Sequence, residues 1–207
     1  MIQKHSLRDI KKEATAHALA DASYELALER GLDGFIVDDV VQKAGYSRRT
    51  FANHYSCKEE AVAAAAVSFQ GTDAQEAERI LSEVNADTEP LDIFYRLMRT
   101  QLVTEHIGKM RDLVSLSKRY PTLEPFILSA FHQLQISAQQ MVSMALNGRY
   151  PEAYTHLLAG AVYGSITPLL DGSVKVLING ETAGDETEAL TFDQYLETMF
   201  NYLRNGF

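Results

Sequence analysis

An all-α fold is predicted for this 207-residue chain by three features. Apolar residues recur three and four apart almost throughout, as amphipathic helices require. Strand-like alternation is hardly present, and β-branched residues are scattered. The helix-ending and helix-starting signals Gly31, Pro90, Pro121 and Asn147-Gly148 fall where the apolar stripes stop or begin. With 46% hydrophobic and 23% charged residues and a mean hydropathy of −0.16, the composition is that of a globular protein, not a disordered or fibrous one. The length suffices to bury a core without metal or disulfide staples.

Each element follows from the order of residues. Leu7, Ile10, Ala14, Ala18, Ala22 and Leu26 form the first stripe, and Gly31 supplies a C-cap, so the first helix is expected to end near Arg30. Two short helices, Val37 to Ala44 and Arg48 to His54, flank the turn Gly45-Tyr46-Ser47, a helix-turn-helix frame. Ser56 or Cys57 opens a long helix expected to run through the alanines from Ala61 to Ala66, past Phe69 and toward Val84. Asp87-Thr88-Glu89-Pro90 marks a break with proline at a helix start. Beyond it lie a stripe of Leu91, Phe94, Met98 and Leu102, a short piece from Met110 to Arg119, and a stripe from Ile127 to Met144. From Pro151 a long helix carries Tyr154, Leu158, Ala161, Ser165 and Leu169, with Pro168 expected to kink it rather than end it. Asn179-Gly180 to Glu188 reads as an acidic loop, and Phe192 to Leu203 as the last helix.

Charge and cysteine content bound the function. The net charge of −9 and pI of about 5.1 argue at face value against a nucleic-acid partner. The acid is unevenly placed, however: residues 1–60 hold nine Lys and Arg against ten Asp and Glu, while the remainder holds ten against eighteen. A near-neutral segment binds DNA if its cations converge on one face, because only phosphate-facing charges release counterions. One Cys excludes an internal disulfide. The N-terminal stretch is charged and amphipathic, and no segment approaches the roughly 18 apolar residues of a membrane span, so a cytoplasmic protein with no membrane partner is expected.

The informative stretch runs from Gly31 to Lys58. Val37, Val40 and Val41 on one short helix and Phe51 and Tyr55 on the next can bury against the first helix, and Ser47 stands where an N-cap is wanted. Arg48 and Arg49 then occupy the first turn, where the helix dipole disfavours a cation by roughly 0.3 to 1 kcal/mol. Local stability does not account for them. A recognition helix puts its N-terminal residues at base edges, and Arg can grip guanine O6 and N7 with two parallel hydrogen bonds. Thr50 adds a hydroxyl and a methyl, Asn53 and His54 reach adenine edges or phosphate, Tyr46 flanks them in the turn, and Lys58 is placed to close on a phosphate. A solvated polar face on a small helical subdomain is the competing explanation. It accounts for one Arg more easily than for Arg-Arg-Thr behind an N-cap.

Gly31, Val37, Asp39-Val40, Ala44-Gly45, Ser47, Thr50-Phe51, His54-Tyr55 and Lys58-Glu59 together resemble the DNA-binding segment of the TetR family of bacterial transcriptional regulators. The resemblance covers about the first sixty residues; the helical remainder fits the family's size without a motif of its own. It implies an N-terminal three-helix DNA-binding domain over residues 1–57 and a helical-bundle ligand-binding and dimerisation domain over 58–207. It also implies a homodimer on a palindromic double-stranded DNA operator, most often a repressor, released by a small-molecule effector. Two positions depart from the family pattern: Ile36 stands where Thr is usual and Ala52 where Tyr is usual, and both usual residues commonly hold the DNA backbone. Their loss places more weight on Arg48, Arg49, Asn53, His54 and Lys58. Lys4, Arg8, Lys11 and Lys12 ahead of and within the first helix compensate if they touch phosphate; a solubilising arm is the alternative.

For the C-terminal part, Tyr95, Met98, Leu102, Phe126, Phe131, Met141 and Tyr163 are candidates to line a largely apolar effector pocket, although most such residues in a helical bundle are core. Arg96, Arg99, His106 and His132 are candidates to orient a polar head group, with surface as the competing place. The small residues Ala159, Gly160, Ala161, Gly164 and Ser165, with the last helix, suggest a four-helix dimer interface or close packing within one subunit. No cofactor is expected. Catalytic and metal motifs are missing: the six histidines are dispersed, Glu152 and His156 share a helix face by spacing alone, and no phosphate loop, nucleophile elbow or dinucleotide glycine set occurs. An enzyme is therefore not expected. Cys57 beside Lys58 invites a redox reading, yet no second Cys exists to resolve an oxidised form. A DNA-binding protein with no effector is the remaining alternative.

Overall fold

The computed structural model describes residues 7–68, 72–101, 104–178 and 189–206. It is mostly helical, in the order α1 (Leu7–Arg30), α2 (Val37–Ala44), α3 (Arg48–Ala52), α4 (Lys58–Ala64), α5 (Thr72–Ser82), α6 (Pro90–Gln101), α7 (Thr104–Arg119), α8 (Glu124–Ala145), α9 (Glu152–Gly164), α10 (Thr167–Asp171) and α11 (Phe192–Asn205). Short 3-10 turns stand at Leu32–Gly34, Ala65–Val67 and Pro121–Leu123. No helix among the described residues is long and apolar enough to cross a membrane.

Two compact units divide the chain: Met1–Ser68 with Ser115–Ala130, and Phe69–Val114 with Phe131–Phe207. α4, which follows the boundary expected between residues 57 and 58, falls within the first of these units. The reason is packing: α4 lies along α1 and buries Ala61, Val62 and Ala63. Its alanines let the two backbones approach closely, so α4 completes the core of the first unit.

In that unit α1 ends where expected, and Gly31 turns the chain with φ +72° while its N–H still bonds Ala27 O at 3.0 Å. A Cβ there would strike the Tyr120 hydroxyl, so the site excludes any side chain twice over. The apolar stripe of α1 holds only from His17 onward. Leu19, Ala20, Ala22, Leu26 and Ala27 are buried, but Ile10 is 51% exposed and Ala14 lies on the surface, because the elements that cover α1 meet only its later turns. Leu32, Phe35, Val40, Phe51 and Val62 close the core.

The second unit packs α5 on α6, and α6 against α9 and α11. Phe94, Leu97 and Met98 of α6, Val162 of α9 and Phe200 of α11 are buried. Arg149 fixes the turn before α6 by donating to Asn85 O at 2.7 Å and Thr88 O at 2.9 Å, and Arg204 pairs with Asp92 at 2.6 Å.

Four expectations need correction. The long helix from residue 57 to Val84 is broken: Ser68 Oγ donates to Ala64 O at 2.7 Å and the backbone turns extended at Ser68, with α5 starting afresh at Thr72. Pro168 does not kink one helix. Ser165 Oγ donates to Ala161 O at 2.7 Å, α9 stops at Gly164, and Pro168 lies in the first turn of α10, where its missing N–H is harmless. The short piece at Met110 extends back to Thr104, because Ile107 and Met110 both bury. Finally, Val176–Leu177 pairs in parallel with Leu190–Thr191, a two-residue bridge too short to alternate. Thr191 then caps α11, accepting from Gln194 N at 3.2 Å while Gln194 Oε1 accepts from Thr191 N at 2.8 Å. The expected acidic loop lies outside the described residues.

Candidate nucleic-acid interface

The segment from Ile36 to Lys58 is built by local chemistry. Gly45 adopts φ +76° and ψ +29°, and Tyr46 N donates back to Val41 O at 2.9 Å, which stops α2 in a left-handed cap. Ser47 is extended, and its Oγ accepts from Thr50 N at 3.1 Å and lies 2.9 Å from Thr50 Oγ1, so the expected N-cap is present. At the start of α2, Ile36 has no capping oxygen. Asp39 Oδ2 accepts from Ile36 N at 2.9 Å, which is half of a capping box.

Phe51 anchors α3 by burying to 3% exposure, with the Tyr55 ring 5.8 Å away. The Tyr55 hydroxyl donates to Ala16 O of α1 at 2.9 Å, and burial pushes its phenol up to about 12. With Phe51 inward, Tyr46, Ser47, Arg48, Arg49 and Asn53 are exposed, and Thr50 and His54 are half-buried. α3 ends at Ala52, two residues earlier than expected, although His54 N and Tyr55 N still bond Phe51 O at 2.9 Å.

The basic groups of the first unit fall into two sets. Lys43 pairs with Glu25 at 2.9 Å and Glu29 at 3.2 Å, and these carboxylates hold its ammonium above its ordinary pKa; Arg30 lies 3.5 Å from Asp39. Both tie α2 to α1. Arg48 donates from Nε and Nη2 to the two carboxylate oxygens of Asp38, which lowers the Asp38 pKa and raises that of Arg48. The other set is outward: the Arg49 guanidinium makes no hydrogen bond or ion pair among the described residues, and Arg8, Lys11 and Lys12 are exposed on α1. Lys4 lies outside the described residues. His54 has its pKa lowered by burial first and by Lys12 second, so it is neutral at pH 7 and marks Lys12 as its neighbour.

Lys58 has partners within the first unit. Its ammonium donates to Leu32 O at 2.6 Å and Phe35 O at 2.9 Å and sits 4.9 Å from the centre of the Phe35 ring. Two of its three donors thus hold the loop after α1 to the start of α4. Cys57 is half-buried at the N-cap of α4, 3.9 Å from Ser56 Oγ. Asp38 is the residue of this segment that sequence reasoning missed: an acid ten positions before Arg48 carries no periodic signal, and only the turn brings the two together.

Five of the seven expected effector-pocket residues, Tyr95, Met98, Phe131, Met141 and Tyr163, are described and belong to the second unit. Met98 is 1% exposed in the core, and Tyr95 packs edge-on against Phe200 with ring centres 5.0 Å apart. Phe131, Met141 and Tyr163 are half-buried, the Tyr163 phenol pushed up by burial. Phe126 belongs to the first unit, and Leu102 lies outside the described residues. An open groove of about 360 Å³ runs instead between Gln140 and Met144 of α8 and Glu152 and His156 of α9, and none of the seven candidates lines it. Arg96 is paired with Glu83, Arg99 lies 5.8 Å over the Tyr95 ring, His106 is buried and His132 exposed. No family model matches the chain, and no curated protein matches it.

Proposed function

We propose that the chain is a sequence-specific DNA-binding transcription regulator of the TetR kind, acting as a homodimer on a near-palindromic operator and answering to a small-molecule effector. The observation that carries this reading is α3. It is anchored by Phe51 and capped by Ser47, yet it turns Arg48, Arg49 and Asn53 to solvent, and the Arg49 guanidinium has no partner among the described residues to explain its presence in a first helical turn. The outward Lys11 and Lys12 add phosphate-seeking charge in the same unit.

Support for a second copy comes from α8 and α9. Leu157 is 76% exposed, Met144 72% and Tyr154 41%, and Ala161 and Gly164 lie on the surface while Ala159 and Val162 are buried. Tyr154 stacks on Tyr150 with ring centres 4.9 Å apart, and an exposed apolar stripe of Leu157 and Met144 with small residues beside it suits helix-on-helix association. α11 contributes less than expected to such a face, since its Leu196, Met199 and Phe200 are buried in its own unit. In a dimer, two copies of α3 would read half-sites about 34 to 36 Å apart. An effector that prefers one arrangement of the second unit's helices would change their separation and release the operator by a population shift.

Selection of genomic fragments by the purified protein at moderate salt, followed by sequencing, tests the proposal. A common near-palindrome upstream of a gene is the expected result. Retention of no common sequence, with the protein folded and dimeric, would overturn it.

A further inference from the structure

We propose that Asp38 is a positioning residue for base recognition: it holds Arg48 by one edge of the guanidinium so that the other edge is presented to guanine in the major groove. This rests on the DNA-binding function proposed above and names the base that one of its contacts would select.

The geometry carries it. Asp38 is the second residue of α2 and Arg48 the first of α3. Its two carboxylate oxygens take the Nε and Nη2 protons of Arg48, the side-on arrangement. A guanidinium has five N–H donors in a rigid fork, so with Nε–H and one Nη2–H engaged, one Nη1 proton and the second Nη2 proton stay available along the outer edge. That edge faces solvent: the Arg48 side chain is 72% exposed and that of Asp38 44%. Arg49, the next residue, has no such carboxylate.

In the first turn of α2 Asp38 also complements the helix dipole, a duty that leaves its carboxylate oxygens available to Arg48. The capping acid of α2 is its neighbour Asp39, which accepts from Ile36 N at 2.9 Å and lies 3.5 Å from Arg30. Arg48 is the one partner that Asp38 has among the described residues.

Two consequences follow for DNA. A carboxylate beside Arg48 cancels its charge, so the pair gives little counterion release and little hold on any phosphate. The two outward donors of the fork remain, and guanine alone offers two acceptors, O6 and N7, side by side in the major groove; adenine pairs its acceptor with a donor, and thymine offers one acceptor beside a methyl. Asp38 thus trades sequence-independent affinity for base choice. It also repels any phosphate that would otherwise draw the flexible arginine off the base edge.

The test compares the full-length protein with Asp38→Asn, Asp38→Glu and Arg48→Lys. Base preference is read by selection from random duplexes, and the salt dependence of binding is read on a selected and an unrelated duplex. The parent is expected to prefer guanine at one position of each half-site by tenfold or more. In Asp38→Asn that preference should fall to about threefold or less, while binding to the unrelated duplex tightens and its log–log salt slope steepens by about one per subunit. Asp38→Glu should restore part of the preference. Arg48→Lys should lose it, because an ammonium cannot be held by one edge and read with another. Since Arg48→Lys leaves α2 untouched, a folding defect in the Asp38 variants would not block the test.

Full guanine preference with an unchanged salt slope in Asp38→Asn would overturn the proposal while leaving the DNA-binding function intact. So would unchanged preference at every position in Arg48→Lys. A parent protein with no base preference at all would overturn both, and that outcome is distinguishable from the first two.

Discussion

Lys58→Met separates a structural clasp from a phosphate contact. The substitution keeps an unbranched apolar stem beside the Phe35 ring and removes both donors, leaving Leu32 O and Phe35 O without the ammonium. A hydrogen bond to a charged group contributes about 1.5 to 3 kcal/mol. The site is only half-buried, so solvent screening favours the lower end, and the two bonds share one ammonium and do not add. A loss of about 2 kcal/mol follows, which for a chain of 207 residues corresponds to a fall in Tm of roughly 4 to 8 °C. Thermal melts followed by circular dichroism measure this, and DNA titrations at several salt concentrations measure the alternative. A phosphate contact would leave Tm in place and reduce the log–log salt slope by about 0.9 per subunit. An unchanged Tm with that reduced slope would refute the clasp.

Other substitutions probe the same unit. Gly31→Ala should destabilise by about 1 to 3 kcal/mol from the backbone alone, because φ +72° with ψ 164° is a glycine conformation. Adding Tyr120→Phe should recover only the part due to the hydroxyl clash, and denaturant titrations showing full recovery would contradict the backbone argument. Ile36→Thr supplies the missing N-cap oxygen at a residue that is 60% exposed, and the urea midpoint should rise by the equivalent of about 1 kcal/mol; no rise would mean that Asp39 already satisfies the helix start. His54, held below its ordinary 6.5 by burial and Lys12, takes up a proton as pH falls below neutrality. The unfolded chain takes that proton first, so stability should decline as pH falls from about 6.5 through the lowered pKa, while DNA affinity rises with the added charge. His54→Gln should flatten both profiles; identical profiles would remove His54 from either role. Arg49→Ala should weaken specific binding by roughly 1 to 3 kcal/mol and relax one base position with Tm unchanged, and retained base preference would exclude it from the interface.

What was legible in the sequence is what local chemistry decides. Gly31, Gly45 and Ser47 set the ends of α1, α2 and α3 through their own backbone freedom or hydroxyl, and each structure element stops or starts where those residue types require. The breaks at Ser68 and Gly164 were hidden because an alanine or apolar run continues through each; a serine hydroxyl donating one turn back stands at both, but Ser23 makes the same bond inside α1 without ending it. Periodicity placed Ile10 inward, although it is 51% exposed: a stripe shows which face could bury, not how far a partner extends along it. The aromatic and methionine residues of α6 show the same limit from the other side. Their spacing marked an apolar face, and the packing of α9 and α11 on α6 buries Phe94, Leu97 and Met98 of that face.

For the candidate interface, residue types were legible and their partners were not. Four of the basic groups in the first sixty residues turn out to have work inside the unit: Arg30 and Lys43 tie α2 to α1, Lys58 holds the loop after α1, and Arg48 is clasped by Asp38. None of those pairings follows from spacing, since each spans a turn whose geometry only folding sets. Arg49 remains. It sits at the second position of α3, where the dipole opposes it and no acid among the described residues pairs with its guanidinium. A local rule broken with no compensation inside the molecule points to compensation outside it. An anion supplies that, and a duplex supplies anion and base edge together, which is why Arg49, with Arg48 held beside it, is the strongest reason to look for DNA.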